Sequence, residues 1–359
     1  MLSYTLRRIV AVVPVVLLVV SIVFLLIHMA PGDPLSLLLS EDASEATIQA
    51  VRLKWGLDQP LWVQYLNYLG IIIRGDLGIS LKYGDPVLAV ILSRLPATIE
   101  LAIAAMLIAI VIAVPLGLWA GSRPNSWIDN LGSSFGFIGI SMPGFWLGIM
   151  LILLLSGVLN LLPSSGRDNF GVAEEPITGL YLLDSLLYLD SAQARDAITH
   201  LIMPAAALGI NMVGMLMRVT RSSIIEVMHD DYITTARAKG ATERQVLWRH
   251  GFKNAFIPVL TVVGLELGTL LSGSIIIETV FAWPGTGSLL ISAINSRDYP
   301  LVVGAILTYT LAFVFINFII DLIYPLKTKI HVKSRGLRNL IRLAILTSRR
   351  DLSQEISAI

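Results

Sequence analysis

Six stretches of about 20 predominantly apolar residues recur along the chain, at about 9–29, 99–120, 135–162, 201–217, 256–277 and 301–324. Crossing the ~30 Å of a bilayer's hydrocarbon takes a helix of about that length. Helices do this because each satisfies its own backbone polar groups internally. Of the 359 residues, 55% are hydrophobic and 14% charged, against roughly 25% charged in a soluble domain. That balance excludes a disordered chain and disfavours a soluble enzyme. The fold expected is all-α and membrane-embedded, with six transmembrane helices. The fourth block is the shortest, and the apolar stretch 61–73 is a further, weaker candidate.

The first block contains no acidic residue, Lys or Arg, and Pro31, Gly32 and Pro34 follow it closely. It is longer than a signal-peptide core and lacks a small-residue cleavage site, so it reads as a retained first span.

Lys and Arg in short flanking segments set orientation. With the N-terminus inside, segments 1–8, 121–134, 218–255 and the tail after 324 hold 18 basic residues, while the short outside loops 163–200 and 278–300 hold 3. Both termini are therefore expected in the cytoplasm. The chain divides into a cytoplasmic N-terminus (1–8), a transmembrane domain (9–326) with an outside segment at about 30–98, and a basic cytoplasmic tail (327–359). The 26 basic and 25 acidic residues leave a net charge of +1, which gives no reason to expect nucleic acid. With no cysteine, disulfides, thiolate metal sites and a cysteine nucleophile are excluded.

Between the spans, the outside segment 30–98 alternates breakers with short amphipathic stretches. A helix through Trp55, a second stretch at 61–73 and a turn at 75–80 are expected, forming a compact cap or part of a docking surface. Trp283, in a loop dense in breakers, suits a membrane interface.

The inside loop 218–255 has the most local design. Asp231 is the expected N-cap of a two-turn helix, with Arg237 and Lys239 in its last turn, where cations suit the dipole. Gly240 is the left-handed stop. Thr242 and Gln245 have the spacing of a capping box opening a second short helix toward Lys253. Ala236 and Gly240, four apart, leave room for another surface. A helical wedge for a cytoplasmic partner is the reading that accounts for these features.

Here the sequence resembles a known family. Residues 232–240 (Tyr-Ile-Thr-Thr-Ala-Arg-Ala-Lys-Gly), followed downstream by Pro258, resemble the coupling motif of ABC importer permeases. Its Glu-Ala-Ala positions fall on Thr234, Thr235 and Ala236, so the glutamate is missing, and the spacing to Pro258 is longer than in the general form. Both departures are similar to the dipeptide/oligopeptide/nickel branch. Segments around Arg7–Arg8, Pro31–Pro34, 56–60, 75–78, 95–98, 143–148, 200–204 and 278–285 are similar to that branch in order, over about residues 1–326.

The resemblance implies a permease subunit of an ATP-driven, binding-protein-dependent importer in the bacterial inner membrane. Its expected partners are a second, related permease, two ATP-binding subunits, an extracytoplasmic substrate-binding protein and the lipid bilayer. ATP and Mg would act on the ATPase subunits, with no cofactor, metal or catalytic residue in this chain. The coupling helix would comprise Tyr232, Thr235, Ala236, Arg237, Ala238, Lys239, Gly240 and Ala241. Short peptides are the cargo the resemblance favours, with nickel complexes, glutathione or another small solute as alternatives.

The chain departs from the family in its tail, where Arg335, Arg338, Arg342, Arg349 and Arg350 interleave with apolar residues, a pattern that suits an anionic membrane surface and equally a loosely ordered tail. No GxxxxGK[ST] phosphate loop occurs. Of the ionisable groups in or near the spans, His28, Glu100, Glu266 and Asp321, Glu266 lies deepest. It is a candidate for the translocation path or for a carboxyl holding helices together. Gly264, Gly268 and Ser272 share one helix face suited to close packing. An ion-driven secondary transporter is the rival reading, disfavoured because no repeat is evident and the capped inside helices point to a partner.

Overall fold

The computed structural model describes residues 2–29, 44–46, 49, 53, 58–169, 177–316 and 318. Most of the helix expected through Trp55, Asp321 and the basic tail lie outside the described residues. Among the described residues the elements are helices, joined by turns and one isolated bridge between Ile79 and Pro86. They are α1 (Leu2–Met29), α2 (Leu61–Ile73), α3 (Val87–Ser122), α4 (Trp127–Ser141), α5 (Gly144–Leu151, prolonged by the π-helical Ile152–Val158), α6 (Tyr181–Leu187) and α7 (Ser191–Met228). Then come α8 (Asp231–Ala238), α9, α10 (Ile275–Val280), α11 (Thr286–Asn295) and α12 (Tyr299–Ile316). Helix α9 runs through Glu243–Gln245, a π-helical stretch Val246–Phe252 and Lys253–Gly273.

Four described helices are long and apolar enough to cross a membrane: Val87–Ser122, Ser191–Met228, Glu243–Leu270 and Tyr299–Ile316. The other two expected blocks are helical as well. Block 9–29 lies within α1. Block 135–162 is not one helix but two, because Pro143 has no N–H and pushes its predecessor out of helical geometry. Across that break the Asn211 amide, with its nitrogen facing them, donates to the carbonyls of Gly139 (2.8 Å) and Met142 (2.9 Å).

The fourth block, expected to be the shortest span, lies within the longest helix among the described residues. Helix α7 has 38 residues. Polar N-terminal turns bearing Gln193, Arg195 and Asp196, and C-terminal turns bearing Arg218 and Arg221, extend it past its apolar centre. Asp190 caps it, its Oδ1 accepting from the N–H groups of Ala192 and Gln193. Helix α3 likewise starts 12 residues before the expected 99, just after Pro86.

Helices α3 and α7 form the centre of the largest buried cluster, which takes in α9 and the turn after α10. Their contact is a ladder of small residues. Ala105, Ala109, Ala113, Gly117 and Gly121 recur every four positions on α3, and all are buried. A Cβ on Gly117 would lie 2.6 Å from Thr220 Cβ, and one on Gly121 would lie 2.8 Å from Ile224 Cβ. From the other side, a Cβ on Gly209 would lie 2.6 Å from the Ala105 carbonyl oxygen. Absent side chains let the backbones approach, the usual basis of helix association in lipid. Helix α1 packs on α2 through Val20, Val23, Phe24 and Tyr68. His28 joins the two helices, its Nε2 lying 2.8 Å from Gln64 Oε1.

Candidate functional site: a helical hairpin and a buried hub

The loop expected on the inside is a helical hairpin with its own small core. Asp231 opens α8 from within its first turn; the N-cap position is Asp230, whose side chain makes no capping bond. The expected Asp231 cap is thus displaced by one residue. Gly240 takes φ +83°, the left-handed stop expected, and its N–H donates to the Arg237 carbonyl at 2.9 Å. Nothing lies within 4 Å of a Cβ built there, so glycine is needed for conformation and not for space. Thr242 and Gln245 form the expected capping box. The helix it opens is not short: it runs on through the π-helical stretch into the long apolar part of α9.

Ile233, Ala236 and Val246 are buried together, flanked by Met228, Tyr232 and Ala241. The Asn254 amide donates to the Tyr232 hydroxyl at 2.8 Å and to the His250 carbonyl at 3.1 Å, tying α8 to the π-helical turn. Ala236 therefore faces inward, and Gly240 lies beyond the helix end. The expected shared open face of these two residues does not form, because helix α8 stops at Ala238. The surface left exposed carries Asp231, Thr234, Thr235, Arg237, Ala238, Lys239 and Gly240. Arg237 is bound within the chain, Nε to Glu243 Oε1 at 2.8 Å and Nη2 to Oε2 at 3.1 Å. Those hydrogen bonds raise the guanidinium above its usual pKa.

At the opposite end lies a network that sequence reasoning did not resolve. Glu278 is fully buried. Its Oε1 accepts from the hydroxyls of Thr98 and Ser274, both at 2.8 Å, and its Oε2 from the Ser288 N–H at 2.9 Å. Gly285 and Gly287 wrap the carboxylate: a Cβ on either would lie 2.4 Å or 2.8 Å from Oε2. Trp283, expected at a membrane interface, is buried instead. Its indole N–H donates to the Ala97 carbonyl at 2.9 Å, the partner a buried indole requires.

Beside it Arg167 donates through Nε (2.9 Å) and Nη2 (2.6 Å) to Glu100 Oε2 and stacks over Tyr181, 3.6 Å from the ring centre. Burial pushes the Tyr181 hydroxyl above the usual phenol range. The clue in the sequence was the clustering of Glu278, Trp283, Gly285 and Gly287, but nothing in it paired them with Thr98 or Glu100.

Glu266 is half-buried on α9, its Oε2 accepting from the Thr269 hydroxyl at 3.2 Å. The structure does not bring it to the hairpin or the hub. Among the described residues no cluster of His, Asp or Glu could hold a metal ion. A Gly-x-Ser-x-Gly string at 132–136 lies inside α4, not on the strand-to-helix elbow that activates a serine nucleophile.

Residues 113–327 match the model of the binding-protein-dependent transport system inner membrane component, and residues 1–102 match the N-terminal model of the same membrane component. The chain is 42% identical to the dipeptide transport system permease protein DppB of Alkalihalophilus pseudofirmus over 327 residues, 90% of this chain and 97% of that one. It is 41% identical to DppB of Escherichia coli K12 with the same coverage. It is 38% identical to the glutathione transport system permease protein GsiC of Salmonella typhimurium, over 90% of this chain and 97% of that one. With its apolar helical rods and its match along nearly the whole length, the chain belongs to the family of binding-protein-dependent transport system inner membrane components, the permeases of ABC importers.

Proposed function

We propose that this chain forms half of the translocation path of an importer for short peptides. The observation that carries the reading is the 41–42% identity to dipeptide permeases over 90% of the chain. Glutathione, the cargo named for a 38% identical relative, is itself a short peptide, which supports peptide cargo over nickel complexes. The architecture proposed has six crossings with both termini in the cytoplasm. It assembles with a second permease, two ATP-binding subunits that hold ATP and Mg, and an extracytoplasmic binding protein.

The coupling element proposed is α8 with the Gly240 turn. Thr235, Ala238, Lys239 and Gly240 present the exposed docking face. Tyr232, Ala236 and Ala241 back it from the hairpin core, and Arg237 braces it through Glu243. Support comes from the way the hairpin is built. A polar wedge with its own small core, continuous with a transmembrane rod, can pass on a push from below without unfolding. Glu266, in the final third of that rod, is the residue proposed to face the path.

The test is to purify the chain with its co-encoded subunits and measure ATPase activity. Stimulation by binding protein loaded with a dipeptide, lost in a Gly240→Val complex that still assembles, is the expected result. A well-folded chain that associates with no ATPase would sink the reading.

A further inference from the structure

Above the Glu278 hub lies an open cleft of about 620 Å³, on the side read as extracytoplasmic. Its lining includes Lys82, Arg94, Trp283, Ser292, Asn295 and Ser296. Lys82 enters from the turn before α3, and that turn is pinned. Asp298, itself fully buried, accepts from the Ser80 hydroxyl at 2.5 Å and from the Lys82 N–H at 3.1 Å. The Lys82 ammonium reaches Ser292 Oγ. Arg94 comes from the first turns of α3, is half-buried, and has no hydrogen-bond or ion-pair partner among the described residues. The one acid in the lining is Glu278, whose oxygens are filled by Thr98, Ser274 and Ser288. The cleft thus offers two cations, Arg94 without a partner among the described residues, on walls held by buried contacts.

We infer that this cleft receives an acidic side chain protruding from the docked extracytoplasmic binding protein, with Lys82 and Arg94 as its counter-charges. The inference rests on the importer reading above. A free anion is a poor occupant, because an ion pair open to water is screened and contributes little. A docking protein covers the cleft, and the same charges then act in a lower dielectric. Before contact they steer the encounter. The volume also suits a protruding side chain with its neighbours better than a lone carboxylate.

The experiment uses the assembled complex in nanodiscs with its co-encoded binding protein, comparing the parent, a Lys82→Glu/Arg94→Glu variant and a conservative Lys82→Arg/Arg94→Lys variant. The charge-reversed complex is expected to associate with binding protein roughly tenfold more slowly at low salt, with a flatter salt dependence. Its basal ATPase activity should be unchanged, and the conservative variant should associate at the parent rate. An unchanged association rate and salt slope after reversal overturns the inference. So does unchanged association together with a raised KM for trialanine and not for trialanine amide, which would make the cleft a reader of the cargo carboxylate. A parent complex that never binds the binding protein overturns the importer reading itself, and that is visible before any variant is made.

Discussion

The Arg237 guanidinium closes on the Glu243 carboxylate across the left-handed Gly240 turn, with both oxygens engaged. The pair braces the junction between the presented helix α8 and the rod α9. Both side chains are largely exposed, so it contributes about 0.2–1 kcal/mol to stability. Its expected effect is on the geometry of the wedge. Arg237→Ala and Glu243→Ala should leave thermal unfolding within a degree or two of the parent, each lowering transport-coupled ATPase stimulation modestly. The double variant should be no worse than either single one. A double variant with the sum of both losses would show that Arg237 acts on a partner subunit and not through Glu243.

Gly240 separates conformation from space. No atom lies near its missing Cβ, so a substitution acts only through the positive φ. A β-branched residue there costs about 1–2 kcal/mol in the left-handed region, and Asn costs less. Gly240→Val should uncouple ATP hydrolysis from uptake while still inserting in the membrane, and Gly240→Asn should keep most of the coupling. Measuring dipeptide uptake per ATP hydrolysed for both variants decides it. Equal loss in both would point to a steric contact with a partner instead.

The hairpin was legible because its signals are local. Capping box, left-handed stop and the two-turn length of α8 all follow from residues within a few positions of one another, whereas the second helix, expected to be short, runs on into α9. The Asp231 cap missed by one residue for the same reason that helix ends are hard to place: Asp230 and Asp231 are equivalent as sequence. What stayed hidden was non-local. Apolar blocks locate rods but underestimate α7, whose polar end turns lower its average. The Gly264–Gly268 stripe is visible in the sequence, but the alanine and glycine ladder on α3 is not, since alanine is merely apolar until Gly209 lies opposite it. The pairings of Glu278 with Thr98 and of Glu100 with Arg167 join segments 180 and 67 residues apart, and no local pattern reports such a pair.

The Glu100–Arg167 pair is buried, and breaking it by removing one partner strands a charge. Glu100→Ala should destabilise the chain by about 3–5 kcal/mol, because Arg167 remains under Tyr181 and Trp283 without its counter-ion. Replacing both partners by apolar residues of similar volume, Glu100→Leu with Arg167→Met, should cost far less. Thermal unfolding of the detergent-solubilised chain reads both. A single variant as stable as the parent would mean that the pair is open to water.

The close approach of α3 and α7 makes the sharpest packing prediction. A methyl at Gly209 would sit 2.6 Å from the Ala105 carbonyl oxygen, backbone against backbone, and neither helix can yield by turning a side chain. Gly209→Ala should therefore force the helices apart and destabilise the fold by about 1–3 kcal/mol, the usual cost of overpacking. Gly70→Ala in α2 is the matched control. It is also helical, but nothing lies within 4 Å of its added methyl. It should be neutral or gain up to about 1 kcal/mol, since alanine loses less chain entropy than glycine on folding. Unfolding midpoints for the two variants in one detergent compare the same chemical change in the two settings. Equal midpoints would mean that α3 and α7 are not in backbone contact.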